Sequence, residues 1–478
     1  MTDPRSAVAD VVIVGAGVVG TAIARTLARY RLDCVLADAA RDVGTGTSKA
    51  NTAILHTGFD AKPGTLESRL LARGSALLRE YAADTGIPVE YTGALLVAWT
   101  AEQLGGLPAL EENARRNGYL AVRRVGAGEL YAREPALGPG ALGALEIPDE
   151  AIICPWTTPL AFATEAVGAG VRLVLEAGVT GVSSFDGFYE LATTRGVLRG
   201  RWVVNAAGLG SDVIDRMFGG DGFTIRPRRG ELIVFDKLAR SLLRSILLPV
   251  PTARSKGVLV APTVYGNVLL GPTAEDVSDR GDTATTAAGL DLLMAAGRRI
   301  LPGLGEEEVT ATYAGLRAAT EHADYQIRVD GARRYACVAG IRSTGLSASL
   351  GIAEHVVGLL GEAGLALRAR SSAVALPRMP YIGEVGRRPY QDAELIAGDG
   401  AYGQIVCHCE RVSLGEVRDA LASPVPPADL GGLRRRTRAM NGRCQGFFCA
   451  ATVSRLFDSR PRSGLVPVAE AAAEVRRP

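Results

Sequence analysis

Aromatic residues make up only 5% of the 478-residue chain, and there are only four histidines, so any chemistry that needs an imidazole has few candidates. Neither sign of charge is in excess. Lys and Arg total 53 against 51 Asp and Glu, a net charge of +2 that lacks the basic footprint of a nucleic-acid binder and gives no pull toward an anionic membrane. No continuous apolar run is long enough to cross a bilayer, so no transmembrane segment is expected. The opening MTDPRSAVAD has no signal-peptide core. A cytoplasmic protein is expected, peripheral to a membrane only through partners. Cysteine is too scarce and too unevenly placed for a disulfide framework: Cys34, Cys154 and Cys337 stand alone, while the other four of the seven fall after residue 400. Cys34 and Cys337 lie in apolar runs and read as small buried hydrophobes.

Glycine, by contrast, is abundant, with 58 residues, and the length requires two or three domains. Residues 11–20, VVIVGAGVVG, break from an apolar run into glycines and resume as TAIARTLARY, with apolar positions at helical spacing. This is a buried strand, a tight turn and a helix. Gly15 permits the turn, Gly17 lets backbone approach a pyrophosphate, and Gly20 lets strand and helix pack closely. The helix N-terminus then faces the phosphates with its amides and the positive end of its dipole. A second strand, CVLAD, ends at Asp38, placed to accept a hydrogen bond from an adenosine ribose. Strand, turn, helix and terminal acid together indicate a dinucleotide site; the competing reading is a βαβ unit with a glycine turn.

The next segment is rich in small and hydroxylated residues. Thr47, Ser48 and Asn51 can donate hydrogen bonds to phosphate or ring atoms, or form an ordinary helix cap. His56, in ILHTG, alone reads as structural as readily as catalytic. The stretch from Thr47 to Leu66, TSKANTAILHTGFDAKPGTL, resembles the flavoenzymes of the D-amino-acid oxidase and glycerol-3-phosphate dehydrogenase superfamily. It looks closest to the FAD subunit of anaerobic glycerol-3-phosphate dehydrogenases and to L-2-hydroxyglutarate oxidases. The likeness covers nearly the whole chain and implies FAD rather than NAD.

The fold class is α/β. The resemblance implies a doubly wound FAD-binding domain from 1–86, 151–220 and 318–365, with an antiparallel α+β substrate domain from 87–150 and 221–317 inserted in it. A linker that packs on the surface is expected over 366–400, a small helical iron–sulfur domain over 401–460 and a tail over 461–478. Helices are read at 157–168 and 284–300. Short runs such as GELIVFD and NVLLGPTA, divided by Gly, Pro and Asn, read as antiparallel strands. By resemblance, Val179 lies where backbone meets the adenine, Ala207 and Gly208 form a second flavin-contacting turn, and Gly340 and Gly345 belong to the last strand-turn-helix. Arg317 ends a strand in a Gly-apolar-Arg segment, where the superfamily binds the substrate's acidic group through a donor fork. Ala318 stands where proline often follows, which departs from the glycerol-phosphate pattern and leaves the hydroxyacid branch open. A surface arginine is the alternative.

Behind the linker, IVCHCERVSLGEV holds Cys407 and Cys409, with Ser413 and Glu416 as a capping box, and NGRCQGFFC holds Cys444 and Cys449. Two close cysteine pairs, each read as lying at a helix start, suit a metal cluster; zinc competes, although Cys-x-Cys is tight for it. The segment resembles the [2Fe-2S] domain of bacterioferritin-associated ferredoxins. Arg434, Arg435, Arg436, Arg438 and Arg443 read as a solvated face, or as charges that offset the cluster or dock an acidic partner. His408 reads as a bystander.

Together these features imply an FAD-dependent dehydrogenase for a small anionic hydroxy compound, glycerol-3-phosphate or a 2-hydroxy acid. Arg317 would hold the substrate, and His56, or else His322, would take the hydroxyl proton; Lys256 and Arg342 would add positive charge. A one-electron cluster implies partner subunits or a quinone-linked acceptor downstream. Two rivals remain open: an amine or amino-acid oxidase of the same superfamily, and an electron-transfer subunit whose substrate is oxidised elsewhere.

Overall fold

An apolar run with no polar face is stable as a strand only when covered on both sides, and Ala9–Val14 is such a strand, with Val11, Val12 and Ile13 fully buried. The computed structural model describes residues 8–251 and 257–459. In it, Ala9–Val14 is flanked in parallel by Cys34–Ala37 and then Arg172–Val174 on one side. On the other side lie Gly196–Asn205 and then Tyr335–Ala339. Val14 stands opposite both Ala37 and Asn205, so the carboxyl ends of these strands, and the loops leaving them, gather at one edge. That edge is where a doubly wound sheet binds its ligand. Val179–Phe185 and Phe188–Thr193 extend the sheet as an antiparallel meander.

Helix Val18–Leu27 packs on Thr157–Gly168 and on Gly345–Glu362, which in turn packs on Leu66–Thr85. The last pair approach closely through glycine: a Cβ on Gly74 would lie 2.6 Å from the Ser347 carbonyl oxygen, and one on Gly351 would lie 2.3 Å from that of Leu70. This contact carries Ser347 toward the loop that holds His56.

A second, nine-stranded sheet draws on both excursions from the first. Its order is Arg123–Gly126, Gly143–Ile147, Ala94–Ala98, Ile246–Pro249, Leu259–Pro262, Val268–Gly271 and Arg226–Phe235, with Val309–Ala319 along the last and Glu275–Asp276 beside it. The expected antiparallel pattern holds except at the seam, where Ile246–Pro249 runs parallel to Ala94–Ala98. Only tertiary pairing could reveal that seam, because its strands are about 150 residues apart. Arg226–Phe235 and Val309–Ala319 pair along their whole lengths and hold Arg317 at a fixed place. Helix Ala287–Ile300 starts later than the expected 284, at the Thr286 cap.

Two expectations about the C-terminal part need correction. The 366–400 segment is not simply laid on the surface: Ile382 and Arg388 are buried, the Met379 amide donates to the Thr85 carbonyl, and that of Glu384 donates to the Val264 carbonyl. It is irregular because it follows the two units it passes between. Beyond it, the hairpin Ile405–Cys407 and Val412–Ser413 leads into helices Leu414–Ala422, Leu430–Thr437 and Ala450–Asp458 around a small core of their own. The Ser413–Glu416 capping box is formed as expected. The first cysteine pair, however, lies at the strand end and its turn rather than at a helix start.

Candidate functional site

The glycine turn is built as its sequence requires. Gly15 has φ +108°, and a Cβ there would lie 2.3 Å from the Ala206 carbonyl oxygen, so the first turn presses against the one carrying Ala207 and Gly208. A Cβ on Gly20 would lie 1.8 Å from the Gly15 oxygen, which enforces close packing of strand and helix. Gly17 differs: its Cβ would meet only the Ser48 hydroxyl, at 3.3 Å. That space above the helix N-terminus is the cradle a pyrophosphate needs, and the residues present fit FAD. Asp38 ends the second strand, with one carboxylate oxygen 2.5 Å from the Ala16 amide and the other 2.7 Å from that of Ala40. Burial pushes its pKa up while both amides oppose the shift. The Ala177 amide donates to the Asp38 carbonyl, which places the approach to Val179 beside it.

The loop after Asp38 is tied at several points. Ser48 accepts the Val18 amide at 2.9 Å and so closes the helix start. Thr47 donates to the Leu316 carbonyl at 2.7 Å, Tyr313 donates to the Asn51 carbonyl at 2.7 Å, and a Cβ on Gly315 would strike the Ala50 oxygen at 2.1 Å. The strand bearing Arg317 therefore lies directly on this loop. Asn51 is spent locally, donating to the Ser48 carbonyl and accepting the Ala53 amide.

Six residues on from Ala50, His56 acquires a partner that is absent from its sequence neighbourhood. Ile54 and Leu55 pair antiparallel with Ile152 and Ala151, so one further step sets His56 against Glu150. The distance from His56 Nδ1 to the Glu150 carboxylate is 3.0 Å. Glu150 is fully buried and also accepts the amide and hydroxyl of Thr57 at 2.6 and 2.9 Å. The His56 amide donates to Ser347. A carboxylate fixed on one ring nitrogen orients the imidazole and raises the basicity of the other nitrogen, as a proton acceptor requires. His56 in ILHTG stood out in the sequence, but the acid before AIIC and its pairing with the histidine did not.

Arg317 is half-buried, and its guanidinium meets the Thr273 carbonyl at 3.4 Å; among the described residues no carboxylate pairs with it. Burial, aided by the neighbouring Arg228 charge, lowers its pKa from the usual guanidinium value. Arg228 is neutralised by a two-pronged bond to Asp276 at 2.6 and 3.1 Å. Arg317 is thus left as a cation in want of an anion. His322 is displaced from this group: its side chain is 43% exposed and its ring nitrogen lies 2.7 Å from the Gly222 carbonyl. Arg342 is committed to the Ala323 carbonyl. Lys256 lies outside the described residues. Gly340 has φ +71° at the end of its strand, and Gly345 starts helix Gly345–Glu362 behind Thr344, whose hydroxyl bonds Glu67 and Tyr325.

The four late cysteines are free thiols. Cys409 lies beside Cys444, and Cys407 beside Cys449, near enough for each pair to interact electrostatically. The backbone at Phe448 lowers the Cys444 pKa, whereas burial pushes that of Cys449 up to about 12. Among the described residues no three Cys, His, Asp or Glu side chains converge on a point suited to a single ion. Four thiols in two neighbouring pairs fit the ligand set of a two-iron cluster.

The arginines are not a solvated face. Arg436 is 3% exposed, and with Arg435 it grips buried Asp42, in the loop after Asp38, at 2.7–2.8 Å. Arg438, equally buried, bonds Glu410 at 3.1 Å and Asn267 at 3.2 Å and stacks 4.2 Å over the Tyr265 ring. Tyr265 stacks on Trp156, whose indole N–H donates to the Lys49 carbonyl at 3.1 Å. Arg443 bonds Asp236. The acids that Arg435, Arg436, Arg438 and Arg443 meet belong to this same chain rather than to an acidic partner. The result is a joint running from the residue after Cys409 to the Thr47–Lys49 turn.

Residues 10–359 match the DAO family, FAD dependent oxidoreductase, and residues 405–459 match the Fer2_BFD family, BFD-like [2Fe-2S] binding domain. The chain is 35% identical to a glycerol 3-phosphate dehydrogenase of Caloramator mitchellensis over 93% of its own length and 92% of that protein. It is 30% identical to the mitochondrial L-2-hydroxyglutarate dehydrogenase of Homo sapiens over 55% of its length and 60% of that protein. The dithionite-reduced L-alpha-glycerophosphate oxidase of Mycoplasma pneumoniae, solved with FAD bound, superposes with TM-score 0.74 at 27% identity, covering 79% of this chain and all of that one. Described helices include none long and apolar enough to cross a membrane. The chain belongs to the DAO family of FAD-dependent oxidoreductases, in its glycerol-3-phosphate and 2-hydroxyacid dehydrogenase-like part, and carries a BFD-like [2Fe-2S] domain behind the flavin fold.

Proposed function

We propose that the chain oxidises the secondary alcohol of a small anionic hydroxy compound, glycerol-3-phosphate before L-2-hydroxyglutarate. The observation that carries this reading is Arg317, a half-buried guanidinium with no carboxylate partner among the described residues, on a strand laid against the Thr47–Asn51 loop. A paired donor fork in that setting binds phosphate or carboxylate and fixes the carbon next to it. The 35% identity to a glycerol 3-phosphate dehydrogenase over nearly the full length supports the phosphate.

His56 accepts the hydroxyl proton as the alcohol becomes a ketone, and Glu150 holds the ring and stabilises the charge it gains. Bound FAD supplies the hydride acceptor at N5, and the [2Fe-2S] cluster supplies one-electron exit toward a separate acceptor. Gly17, Ser48 and Asp38 would hold the pyrophosphate and ribose, while Cys407, Cys409, Cys444 and Cys449 would ligate the iron.

The test is an anaerobic panel of glycerol-3-phosphate, L-2-hydroxyglutarate and amino acids, following flavin absorbance and analysing products. The expected result is bleaching by one hydroxy compound, with a ketone formed and no ammonia. Bleaching by an amino acid with release of ammonia would replace this reading with amine oxidation. A protein with full iron and flavin that no compound reduces would be a relay subunit.

A further inference from the structure

Phe447 and Phe448 are 84% and 75% exposed, the two most exposed large apolar side chains among the described residues. Their rings meet edge to face at 5.1 Å. They sit between Cys444 and Cys449, where the Phe447 amide donates to the Cys444 carbonyl at 2.9 Å and the Cys449 amide to that of Gly446 at 3.1 Å, so the loop that would hold the cluster also fixes these rings in solvent. Exposed apolar surface so close to a redox centre points to contact with another molecule. The domain's inward contacts are already assigned: Arg435 and Arg436 to Asp42, Arg438 to Asn267 and Tyr265, and Arg443 to Asp236. Continuity with that joint leaves this loop as the outward part of the ligand set.

Charge indicates what docks there. From Leu430 to Phe457 the chain has six arginines and no Asp or Glu; Arg435, Arg436, Arg438 and Arg443 pair with acids elsewhere in the chain, whereas Arg434 and Arg455 pair with none among the described residues. Arg434 bonds only the neutral Asn441 and Gln445, the latter two residues from Phe447, and Arg455 is exposed. Two rings with a basic surround suit the small, transient interfaces of electron carriers, which bury less than about 1,200 Å². A membrane anchor would instead use the apolar face of a helix.

We propose that Phe447 and Phe448 are the docking surface for an acidic one-electron carrier protein, a proposal that rests on the flavin and cluster reading above. In each encounter one electron leaves the reduced protein and one oxidised carrier centre is reduced by it; no bond is made or broken.

The test uses the holoenzyme and two haem proteins of opposite charge, acidic cytochrome b5 and basic cytochrome c. Electrons are loaded anaerobically by deazaflavin photoreduction, so the readout survives even if glycerol-3-phosphate proves not to be the substrate. Binding of oxidised cytochrome b5 to the oxidised holoenzyme is measured separately by calorimetry. The expected result is faster transfer to cytochrome b5 than to cytochrome c, slowing as salt rises. In the F447S/F448S double variant, both the affinity and the second-order rate constant for cytochrome b5 should fall by at least about tenfold. Its iron and sulfide content, and its rate of ferricyanide reduction, should be unchanged. An unchanged rate and affinity for cytochrome b5 would overturn the proposal. So would a variant whose only loss is binding to phosphatidylglycerol vesicles, or self-association in sedimentation.

Discussion

At the scale of single residues, the account depends on one cation and one dyad. Among the described residues Arg317 has no carboxylate partner, while neighbouring Arg228 is paired with Asp276. Replacing it with alanine should leave flavin bound and raise the substrate concentration needed for bleaching by about a hundredfold, the loss of a charge-assisted fork. Lysine should recover only part, because a point charge lacks the fork geometry. His56→Gln should slow flavin reduction on the order of 10²–10⁴-fold with substrate affinity kept, and Glu150→Gln should slow it at least about tenfold, as read by stopped-flow absorbance. Arg317 and His56 were legible in the sequence as residue types in suggestive segments. Glu150 was not, because the bond between them depends on the pairing of Ile54–Leu55 with Ala151–Ile153, nearly a hundred residues on. His322 illustrates the converse: the sequence made it the second candidate for the base, yet its fold position spends it on the Gly222 carbonyl.

At the scale of elements, the glycine turn and the joint make separate predictions. Gly15→Ala would force a side chain into φ +108° and into the Ala206 carbonyl, so the variant should be purified without flavin or fail to fold. The first strand, turn and helix were legible because buried β-branched runs, glycines and helical periodicity are local signals. The joint was opaque, because an arginine-rich helix reads as solvated unless its acid is known. Asp42, the acid it meets, lies almost 400 residues earlier. Burial works to raise the Asp42 pKa, but the hydrogen bonds and charges of Arg436 and Arg435 hold it below the ordinary 3.8. A carboxylate depressed on folding contributes stability above its unfolded pKa, and that contribution is lost as pH falls through its folded value. The joint should therefore hold at neutral pH and loosen only below pH 3.8, seen as a change in Trp156 fluorescence that Asp42→Asn removes. At neutral pH, Asp42→Asn should cost roughly 3 kcal/mol in denaturant melts, since it leaves two guanidinium groups facing no charge.

At the scale of the whole molecule, the flavin fold and the BFD-like [2Fe-2S] domain are joined through the contacts of Arg435 and Arg436 with Asp42, of Arg438 with Asn267 and of Arg443 with Asp236. The C-terminal unit has a core of only a few side chains, Val412, Val417, Leu433 and Val453 among them, so its cluster should supply much of its stability. Cys407→Ser should lose iron and sulfide, lower the melting temperature of this unit, and leave substrate bleaching of the flavin intact. Most of this layout was legible in the sequence, since the glycine turn and the cysteine pairs mark the ends of the chain's two chemistries. What stayed hidden were the contacts between units: the parallel seam of the second sheet, the burial of Ile382 and Arg388, and the seating of Arg438 on Tyr265 and Trp156.

The central claim is that Arg317 presents an anionic alcohol to the flavin, and it is most directly tested by comparing wild type and Arg317→Ala in anaerobic stopped-flow with glycerol-3-phosphate. The prediction is saturable bleaching in the wild type, followed by reduction of the cluster, with the half-saturating concentration raised about a hundredfold in the variant. Equal bleaching curves for the two proteins, each with full flavin and iron, would contradict it.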